Sequence, residues 1–165
     1  TTMVGVGAAG CATSSSPSWV DAHSPDAVMK QVLLRAACDG DVGEIISMLE
    51  RTPDTEGNQC CNMKIARGMT PLMLAAQGDH LLVCQVLITG RASINAEDDD
   101  SMRPLHFAAS SGSFNVCKLL LEANADPAAP DDDGNVALSL VPEFSTATRA
   151  DKEHWHELLG AGINV

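Results

Sequence analysis

The segment Thr70-Pro71-Leu72-Met73-Leu74-Ala75-Ala76 recurs 33 residues later as Arg103-Pro104-Leu105-His106-Phe107-Ala108-Ala109. The flanking positions repeat in step: Val83-Cys84 returns as Val116-Cys117, and Asp98-Asp99-Asp100 returns as Asp131-Asp132-Asp133. A fixed period of this length indicates a solenoid, in which similar units stack and each unit packs only on its neighbours. The sequence therefore predicts a stacked array, which offers a binding surface and has no built-in reaction centre.

Each repeat is predicted to contain two short helices. Thr70 can cap the first helix of the most regular repeat, and Pro71 suits its first position, where an amide donor would be unused. Arg103 replaces the capping threonine one repeat later, which should weaken that helix start by about 1 kcal/mol. The second helix of the regular repeat is expected to bury a face of residues at three- and four-residue spacing: Leu81, Val83, Cys84, Leu87 and Ile88.

The last part of the chain departs from the pattern. Pro142 falls where the second alanine of the Ala-Ala pair should stand, so the first helix there is expected to end early. A final helix is predicted over about residues 152–159, with Trp155, Leu158 and Leu159 facing inward.

Composition excludes several classes of function. The net charge is −12, and no cluster of Lys and Arg is present to bind a phosphate backbone, which argues against a nucleic-acid partner. No apolar run is long enough to span a bilayer, so no membrane partner is expected. No nucleophile–base set, phosphate-cradling glycine loop or HExxH motif is present. We therefore predict that the chain is not an enzyme and needs no cofactor and no metal.

The six cysteines do not form a recognisable disulfide framework or zinc motif. Cys84 and Cys117 occupy the same repeat position on the predicted buried face, where a free cysteine acts as a small apolar side chain. This usage favours a reducing compartment and predicts a cytoplasmic and/or nuclear location.

These residues resemble the ankyrin repeat family over about residues 26–165. The resemblance implies an all-α fold of helix-turn-helix repeats with short β-hairpin fingers, stacked into an ankyrin repeat solenoid of about four repeats. Residues 1–24 are rich in Gly, Ala, Ser and Thr and are predicted to be a disordered or flexible N-terminal segment, which leaves 25–165 as the ankyrin repeat domain. The implied repeats span about 26–65, 66–98, 99–131 and 132–165, with insertions at 52–66 and 143–151.

The resemblance also implies where a partner binds. In the family, ligands lie on the concave face and contact the finger tips and the outward side of the first helices. Transferred to this chain, the partner-binding positions are Arg67, Met69, Gln77, Asp99, Asp100, Met102, Ser110, Ser111, Asp132, Asp133 and Asn135, with Cys38 and Asp39 at the corresponding place in repeat one. His106 is expected to tie neighbouring fingers by hydrogen bonds.

The two aspartate triplets lie one repeat apart and should stack on neighbouring fingers. Residues 92–133 hold nine acidic and two basic residues, a net charge of −7. Two interpretations remain open, since aspartate is a common turn residue and since crowded carboxylates also suit a partner that carries Lys or Arg. Met69, Met102 and Phe107 could add an apolar component to such a site, or could pack at the base of the fingers.

The sequence thus predicts a non-catalytic protein–protein interaction module, a scaffold or adaptor that binds a segment of another protein on its concave face. The module is expected to be a monomer, and its acidic fingers are expected to favour basic residues in the partner. Two alternatives belong to other classes. The chain could be the regulatory or targeting domain of a larger enzyme, or a small ankyrin-type inhibitor of a kinase or transcription factor. Trp19 stands out in the N-terminal segment, either as a cap on the first repeat or as a short docking motif.

Overall fold

A computed structural model describes residues 25–51, 61–142 and 149–160 of the chain. The predicted flexible segment 1–24, with Trp19, lies outside these residues, as do most of the two predicted insertions. The described residues form seven α-helices and two short 3₁₀ turns, Ala66–Gly68 and Ala137–Leu140. The helices are α1 (Pro25–Asp39), α2 (Val42–Arg51), α3 (Pro71–Gln77), α4 (Leu81–Thr89), α5 (Pro104–Ser110), α6 (Phe114–Glu122) and α7 (Arg149–Gly160).

The helices pair into hairpins that stack side by side in two layers. One layer consists of the first helix of each pair, because α1 packs on α3, α3 on α5, and α5 on the turn Ala137–Leu140. The other layer consists of the second helices, in which α4 lies between α2 and α6. This arrangement confirms the predicted all-α repeat fold.

Small side chains hold the first layer together. The pairs Ala75-Ala76 and Ala108-Ala109 are completely buried, and Ala36-Ala37 of α1 is buried in the same way. Two alanines in succession leave room for neighbouring helices to approach closely, and the fully buried Leu72 and Leu105 fill the space between the layers. The repeated Leu and Ala-Ala positions thus determine how closely the hairpins stack.

The start of α3 follows the prediction. The Thr70 hydroxyl accepts a hydrogen bond from the Met73 N–H at 3.4 Å, and Pro71 occupies the first turn. Arg103 provides no such side-chain cap for α5. Instead His106 Nδ1 accepts from the Arg103 N–H at 3.2 Å, so a ring nitrogen from inside the helix satisfies the backbone group that precedes it.

The turns between paired helices need a left-handed backbone. The left-handed residues are Gly40 (φ 77°), Asp79 (φ 57°) and Gly112 (φ 72°). This conformation is sterically less favourable for aspartate than for glycine, because aspartate has a Cβ atom. At Gly40 the requirement is also spatial, because a Cβ would lie 2.5 Å from Nδ1 of His80. His80 Nε2 in turn hydrogen-bonds the Cys38 carbonyl at 2.8 Å and links the first hairpin to the second.

The buried faces of α4 and α6 match the prediction, with one exception. Val83, Cys84 and Leu87 are buried, as are their counterparts Val116, Cys117 and Leu120. Ile88 is half-buried. The prediction is wrong for Leu81, which is 36% exposed: it is the first residue of α4 and lies beyond the contact with the neighbouring helices.

The end of the array is irregular, as expected. The helix before Pro142 is reduced to the four-residue turn Ala137–Leu140. Helix α7 then covers the exposed end of the stack, with Leu159 fully buried and Leu158 half-buried. Trp155 contacts the Phe114 ring edge-on, with the ring centres 5.1 Å apart.

Two expectations about the loops need revision. No β-strand is present within 25–51, 61–142 and 149–160, so the hairpin strands of the fingers are not seen there. The first insertion is also shorter than predicted, because Asn62 makes the same contacts as Asn95, 33 positions later. Residues 61–66 therefore keep the repeat register, and the added residues lie within 52–60.

Replacing Leu120 by alanine tests the stacking register. The side chain is fully buried between the helix layers, so Leu120→Ala should lower the free energy of unfolding by about 2–5 kcal/mol through an unfilled cavity. Lys118→Ala, an exposed change on the same helix, should stay within about 0.5 kcal/mol of the wild type. Urea denaturation followed by circular dichroism measures both, and equal midpoints would contradict the register.

The thiols of α4 and α6 should resist modification in the folded protein. Burial, with a smaller contribution from the negative charge of Asp79, raises the pKa of Cys84 and of Cys117 to about 12. Because the thiolate is the reactive form, iodoacetamide at neutral pH should alkylate the exposed Cys38 well before either of them. Peptide mass spectrometry would show this order, and denaturant should abolish it; rapid native labelling of Cys117 would show that the layer opens.

Candidate functional site

Three finger loops, 65–69, 98–102 and 131–135, project from the array ahead of the first helices. Each is closed by one hydrogen bond from the N–H of its first residue to the carbonyl of its last. The pairs are Ile65 to Met69 at 3.0 Å, Asp98 to Met102 at 3.0 Å and Asp131 to Asn135 at 2.9 Å. The same backbone closure thus recurs at the 33-residue period.

Neighbouring fingers are joined through their backbones. The Asp99 N–H donates to the Arg67 carbonyl at 3.1 Å, and the Asp132 N–H donates to the Asp100 carbonyl at 3.2 Å. The two aspartate triplets therefore stack one above the other, as predicted. The side chains of the three fingers form one row whose spacing is set by main-chain contacts.

The first aspartate of each triplet holds its own loop. Asp98 Oδ1 accepts from the N–H groups of Asp100 and Met102 at 3.0 and 2.8 Å. Asp131 Oδ1 accepts from the Asp133 and Asn135 N–H groups at 3.0 and 2.7 Å. For these two residues the turn interpretation is confirmed.

Electrostatics at Asp131 reflect this role. Desolvation raises the pKa of the carboxyl group. The hydrogen bonds from the Asn135 backbone and side chain and from the Asp133 N–H together lower the pKa by more than desolvation raises it. His106 adds a small effect in the same direction, so the pKa of Asp131 lies below its ordinary value. The ionised form is thus the one that the finger 131–135 requires.

The remaining aspartates of the triplets point away from the fold. Asp99, Asp100, Asp132 and Asp133 are all exposed. Asp100 Oδ2 lies 2.9 Å from Arg67 Nη2, but both side chains are more than half exposed, and such pairs contribute only about 0.2–1 kcal/mol. Within the described part of the chain, no cation lies at ion-pair distance from the other three carboxylates.

Arg103 neutralises part of the acidic surface nearer the helices. Its guanidinium lies 2.7 Å from Glu97 Oε1 and 3.6 Å from Asp126 Oδ2, and the side chain is 21% exposed. The sequence presents Arg103 only as a missing helix cap, whereas the structure makes it a bridge between two loops. The net charge of −7 over residues 92–133 already includes Arg103. Because Arg103 lies beside Glu97 and Asp126, the carboxylates without a nearby cation are mainly those of the finger tips.

The predicted apolar component is mostly structural. Phe107 is 8% exposed and belongs to the core, so of its two open interpretations the burial favours packing. Met69 and Met102 are half-buried and pack against the core. Asn135, the third residue at this finger position, donates to Asp131 Oδ2 at 3.3 Å. All three therefore support the base of a finger.

The predicted helix positions lie at the ends of the first helices. Gln77 and Ser110 are the last residues of α3 and α5, and both are exposed, as is Ser111. The Ser111 hydroxyl donates to the Gln77 carbonyl at 2.8 Å, and that of Ser110 to the Phe107 carbonyl at 3.0 Å. The serine hydroxyls thus already serve the fold. Cys38 and Asp39 end α1 in the same way, and Asp39 pairs with Arg35 at 3.3 Å.

His106 links two fingers, as expected. Its Nδ1 lies 3.2 Å from the Arg103 N, and its Nε2 hydrogen-bonds the Ala129 carbonyl at 3.0 Å. The ring is fully buried. It connects the start of α5 to the segment that leads into the finger 131–135.

A second connection at the finger bases is not anticipated from the sequence. Asn62 donates to the Arg91 carbonyl and accepts from the Ser93 N–H, and Asn95 makes the same pair of bonds with Asn124 and Asp126. The spacing of 33 between Asn62 and Asn95 is the signal that could have revealed it. It is hidden because Asn62 lies within the predicted insertion.

Two further features were sought among the described residues, a metal-binding cluster and a membrane-spanning helix. The described side chains contain no group of three or more His, Cys, Asp or Glu placed to hold a metal ion. No helix in the described ranges combines the length and apolar character needed to cross a bilayer.

The Asp131 carboxylate predicts a specific pH dependence. Because its folded pKa is lowered, its stabilisation is present above the unfolded pKa of about 3.9 and is lost as the pH falls through the folded value. Asp131→Asn should therefore lower the Tm at neutral pH, and the difference from wild type should shrink in acid. Thermal scans at both pH values measure this. Asp132→Asn, whose carboxylate makes no such hydrogen bonds, should show no comparable trend, and equal effects of the two changes would contradict the assignment.

Comparison with known proteins agrees with this geometry. A family model described as ankyrin repeats (three copies) matches residues 33–131. No curated protein matches the chain. Ankyrin repeats are generally protein–protein interaction modules and are typically non-catalytic. The 33-residue period, the paired helices and the match over more than half of the sequence together show that this chain belongs to the ankyrin repeat family.

Proposed function

We propose that this chain is a non-catalytic module that binds a segment of another protein along its fingers and concave face, and that its acidic fingers favour Lys and Arg in that segment. One observation carries the proposal. Asp99, Asp132 and Asp133 are exposed carboxylates without an ion-pair partner among the described residues, on fingers joined by main-chain hydrogen bonds.

Fixed spacing makes these carboxylates more effective than the same number on mobile loops. Association costs free energy when loops must be ordered on binding, and prior organisation reduces that cost. Here the Asx hydrogen bonds of Asp98 and Asp131 fix each loop, and the Asp99 and Asp132 N–H groups fix neighbouring loops to each other. An extended basic segment would therefore meet a row of charges already in place.

The charge along this row has a direction. One finger position holds Arg67, Asp100 and Asp133 in successive fingers, so its sign changes from positive to negative. The position before it holds an aspartate only in the second and third fingers, as Asp99 and Asp132. A basic segment is therefore favoured at the fingers 98–102 and 131–135, while Arg67 repels it and competes for Asp100.

The overall charge supports the same class of partner. A net charge of −12 attracts a basic protein over distances of about one Debye length, roughly 8 Å at physiological salt, and accelerates encounter. Charges at the edge of an interface act mainly on the association rate and its salt dependence. Binding should therefore weaken as salt is added.

We further propose that the module works as a monomer in the cytoplasm or nucleus. The support for the compartment is chemical: Cys84 and Cys117 are buried free thiols, and such residues are common in proteins of reducing compartments. Sedimentation at several concentrations tests the first statement, and imaging of the tagged chain tests the second.

Charge reversal of the finger tips tests the proposal. Asp99, Asp100, Asp132 and Asp133 are replaced together by lysine, and proteins captured from lysate at low and moderate salt are quantified by mass spectrometry. Capture of the true partner should fall by about tenfold or more at low salt, since placing like charges together costs several kcal/mol. Moderate salt should also weaken capture by the wild type.

A matched control separates local from global charge. Glu44, Glu50, Glu122 and Glu157 are exposed residues on helices, and their joint replacement by lysine changes the net charge equally. A partner that survives this control and is lost with the finger variant supports the proposal. A partner retained by the finger variant, or lost equally with both, would place the binding surface elsewhere. Circular dichroism confirms that both variants fold.

Arg67→Ala provides a test in the opposite direction. It removes the cation that pairs with Asp100 and leaves one more carboxylate free. Affinity for the captured basic partner, measured by titration calorimetry, should rise by a few-fold, in keeping with the 0.2–1 kcal/mol typical of such exposed pairs. A loss of affinity would show instead that Arg67 itself contacts the partner.

A further inference from the structure

The second helices enclose an apolar groove that the fingers do not use. It lies between α2 and α4, has a volume of about 480 Å³ and is lined by Ile46, Leu49, Glu50, Gln85, Val86, Thr89 and Gly90. Ile46 is 39% exposed on its α2 wall. The groove is thus open to solvent and large enough for an aromatic side chain.

The residues at two of the groove positions change character one repeat later. Gln85 and Thr89 of α4 correspond, 33 positions on, to Lys118 and Glu122 of α6, which are charged and exposed. The surface at these positions is therefore uncharged on α4 and charged on α6. Gly90 contributes to the groove by its size, because a Cβ there would lie 3.2 Å from Leu49 Cδ1 and 3.2 Å from Cys61 Sγ.

The chain enters the fold beside this groove. Helices α1 and α2 are joined by a tight turn at Gly40 and Asp41 and pack against each other, so they run in opposite directions. The start of α1 at Pro25 therefore lies near the end of α2, where Leu49 and Glu50 line the groove. The segment before Pro25 emerges at the correct end of the molecule to reach it.

That segment contains a suitable apolar residue within reach. Trp19 is followed by Val20 and stands six positions before Pro25. Six extended residues span at most about 20 Å, whereas packed helices lie only about 8–10 Å apart. Residues 1–20 carry no Asp or Glu, and Asp21 is the one acidic residue between Trp19 and Pro25. The side chains that would enter the groove, Trp19 and Val20, are themselves uncharged. The polar rim of Glu50, Gln85 and Thr89 offers acceptors for the indole N–H, which a buried tryptophan usually needs.

We propose that the groove between α2 and α4 is a docking site for this chain's own N-terminal segment, with Trp19 as the inserted side chain. This contact seals the outer face of the first two hairpins. It is independent of the acidic fingers, because it uses the layer of second helices and apolar contacts.

Fluorescence of the full chain tests the proposal, because the chain contains two tryptophans. Emission from Trp19 is isolated in a Trp155→Phe variant, which keeps an aromatic ring beside Phe114. It is obtained independently as the difference between the wild type and Trp19→Phe. We expect emission at a shorter wavelength than free tryptophan and weak quenching by acrylamide, a neutral quencher that the net charge does not repel.

Variants of groove residues test whether Trp19 is buried in the groove between α2 and α4. Ile46→Glu and Thr89→Glu put a carboxylate on each wall at exposed positions, and Asn115→Glu is the matched change on the outer face of α6. The first two should move Trp19 emission to the wavelength of free tryptophan and restore full quenching, and the third should change neither. Circular dichroism of each variant checks that the repeats remain folded.

Three results would overturn the proposal. Emission of Trp19 like that of free tryptophan in the parent protein would show that the segment does not dock. Buried emission that Ile46→Glu and Thr89→Glu leave unchanged would place Trp19 elsewhere. Buried emission that is lost on serial dilution would show that the groove binds the segment of a second copy.

Discussion

The whole array depends on the close approach of the first helices, which the buried alanine pairs permit. Ala36-Ala37, Ala75-Ala76 and Ala108-Ala109 lie between helices at almost no exposure. A larger side chain at any of these positions would separate two hairpins, and cores tolerate added volume poorly. The separation they fix brings the Asp99 N–H to 3.1 Å from the Arg67 carbonyl and the Asp132 N–H to 3.2 Å from the Asp100 carbonyl. Finger spacing, and with it the spacing of the exposed carboxylates, is therefore a consequence of helix packing.

Aspartate has two separate uses in the fingers. The first member of each triplet accepts backbone hydrogen bonds inside its own loop, and the lowered pKa of Asp131 shows that the charged form is favoured there. Across fingers, Asp99 and Asp132 donate through their N–H groups, and only Asp100 also uses its carboxylate, in an exposed pair with Arg67. The carboxylates of Asp99, Asp132 and Asp133 are left in solvent. A loop that needed only turn chemistry would be served by the first aspartate alone. The stability of the loop therefore does not explain why the second and third aspartates are present in both fingers.

The sequence predicted most strongly those positions that the fold uses in every repeat. Identical contacts recur at one period, so the Leu, Ala-Ala and Cys positions identify the buried faces without further information. Features that occur once were harder to predict. Arg103 looks like a lost helix cap because its bridge to Glu97 and Asp126 depends on where two loops meet in space. Leu81 looks buried because periodicity does not show where the contact between helices ends.

Phe107 and Asn62 illustrate two further limits. Phe107 lies beside the finger positions in sequence, but the first-helix layer encloses it on the inside, and periodicity alone does not distinguish a groove-facing from a core-facing side chain. Asn62 was assigned to the insertion 52–66, because the extra residues before it hide where the regular repeat resumes. Its hydrogen bonds to Arg91 and Ser93 show that it belongs to the repeat.

Function in such an array is expected where neighbouring repeats differ at positions that stacking leaves free. Buried positions are constrained by two neighbours at once, so they converge on the same small set of side chains. Finger tips and the outer faces of the second helices contact solvent and carry no such constraint. At the tips, arginine gives way to aspartate along the row, and on the outer faces an apolar groove at α2 and α4 gives way to charged residues at α6. Both changes occur on an almost unchanged backbone, so they can alter binding without altering the fold.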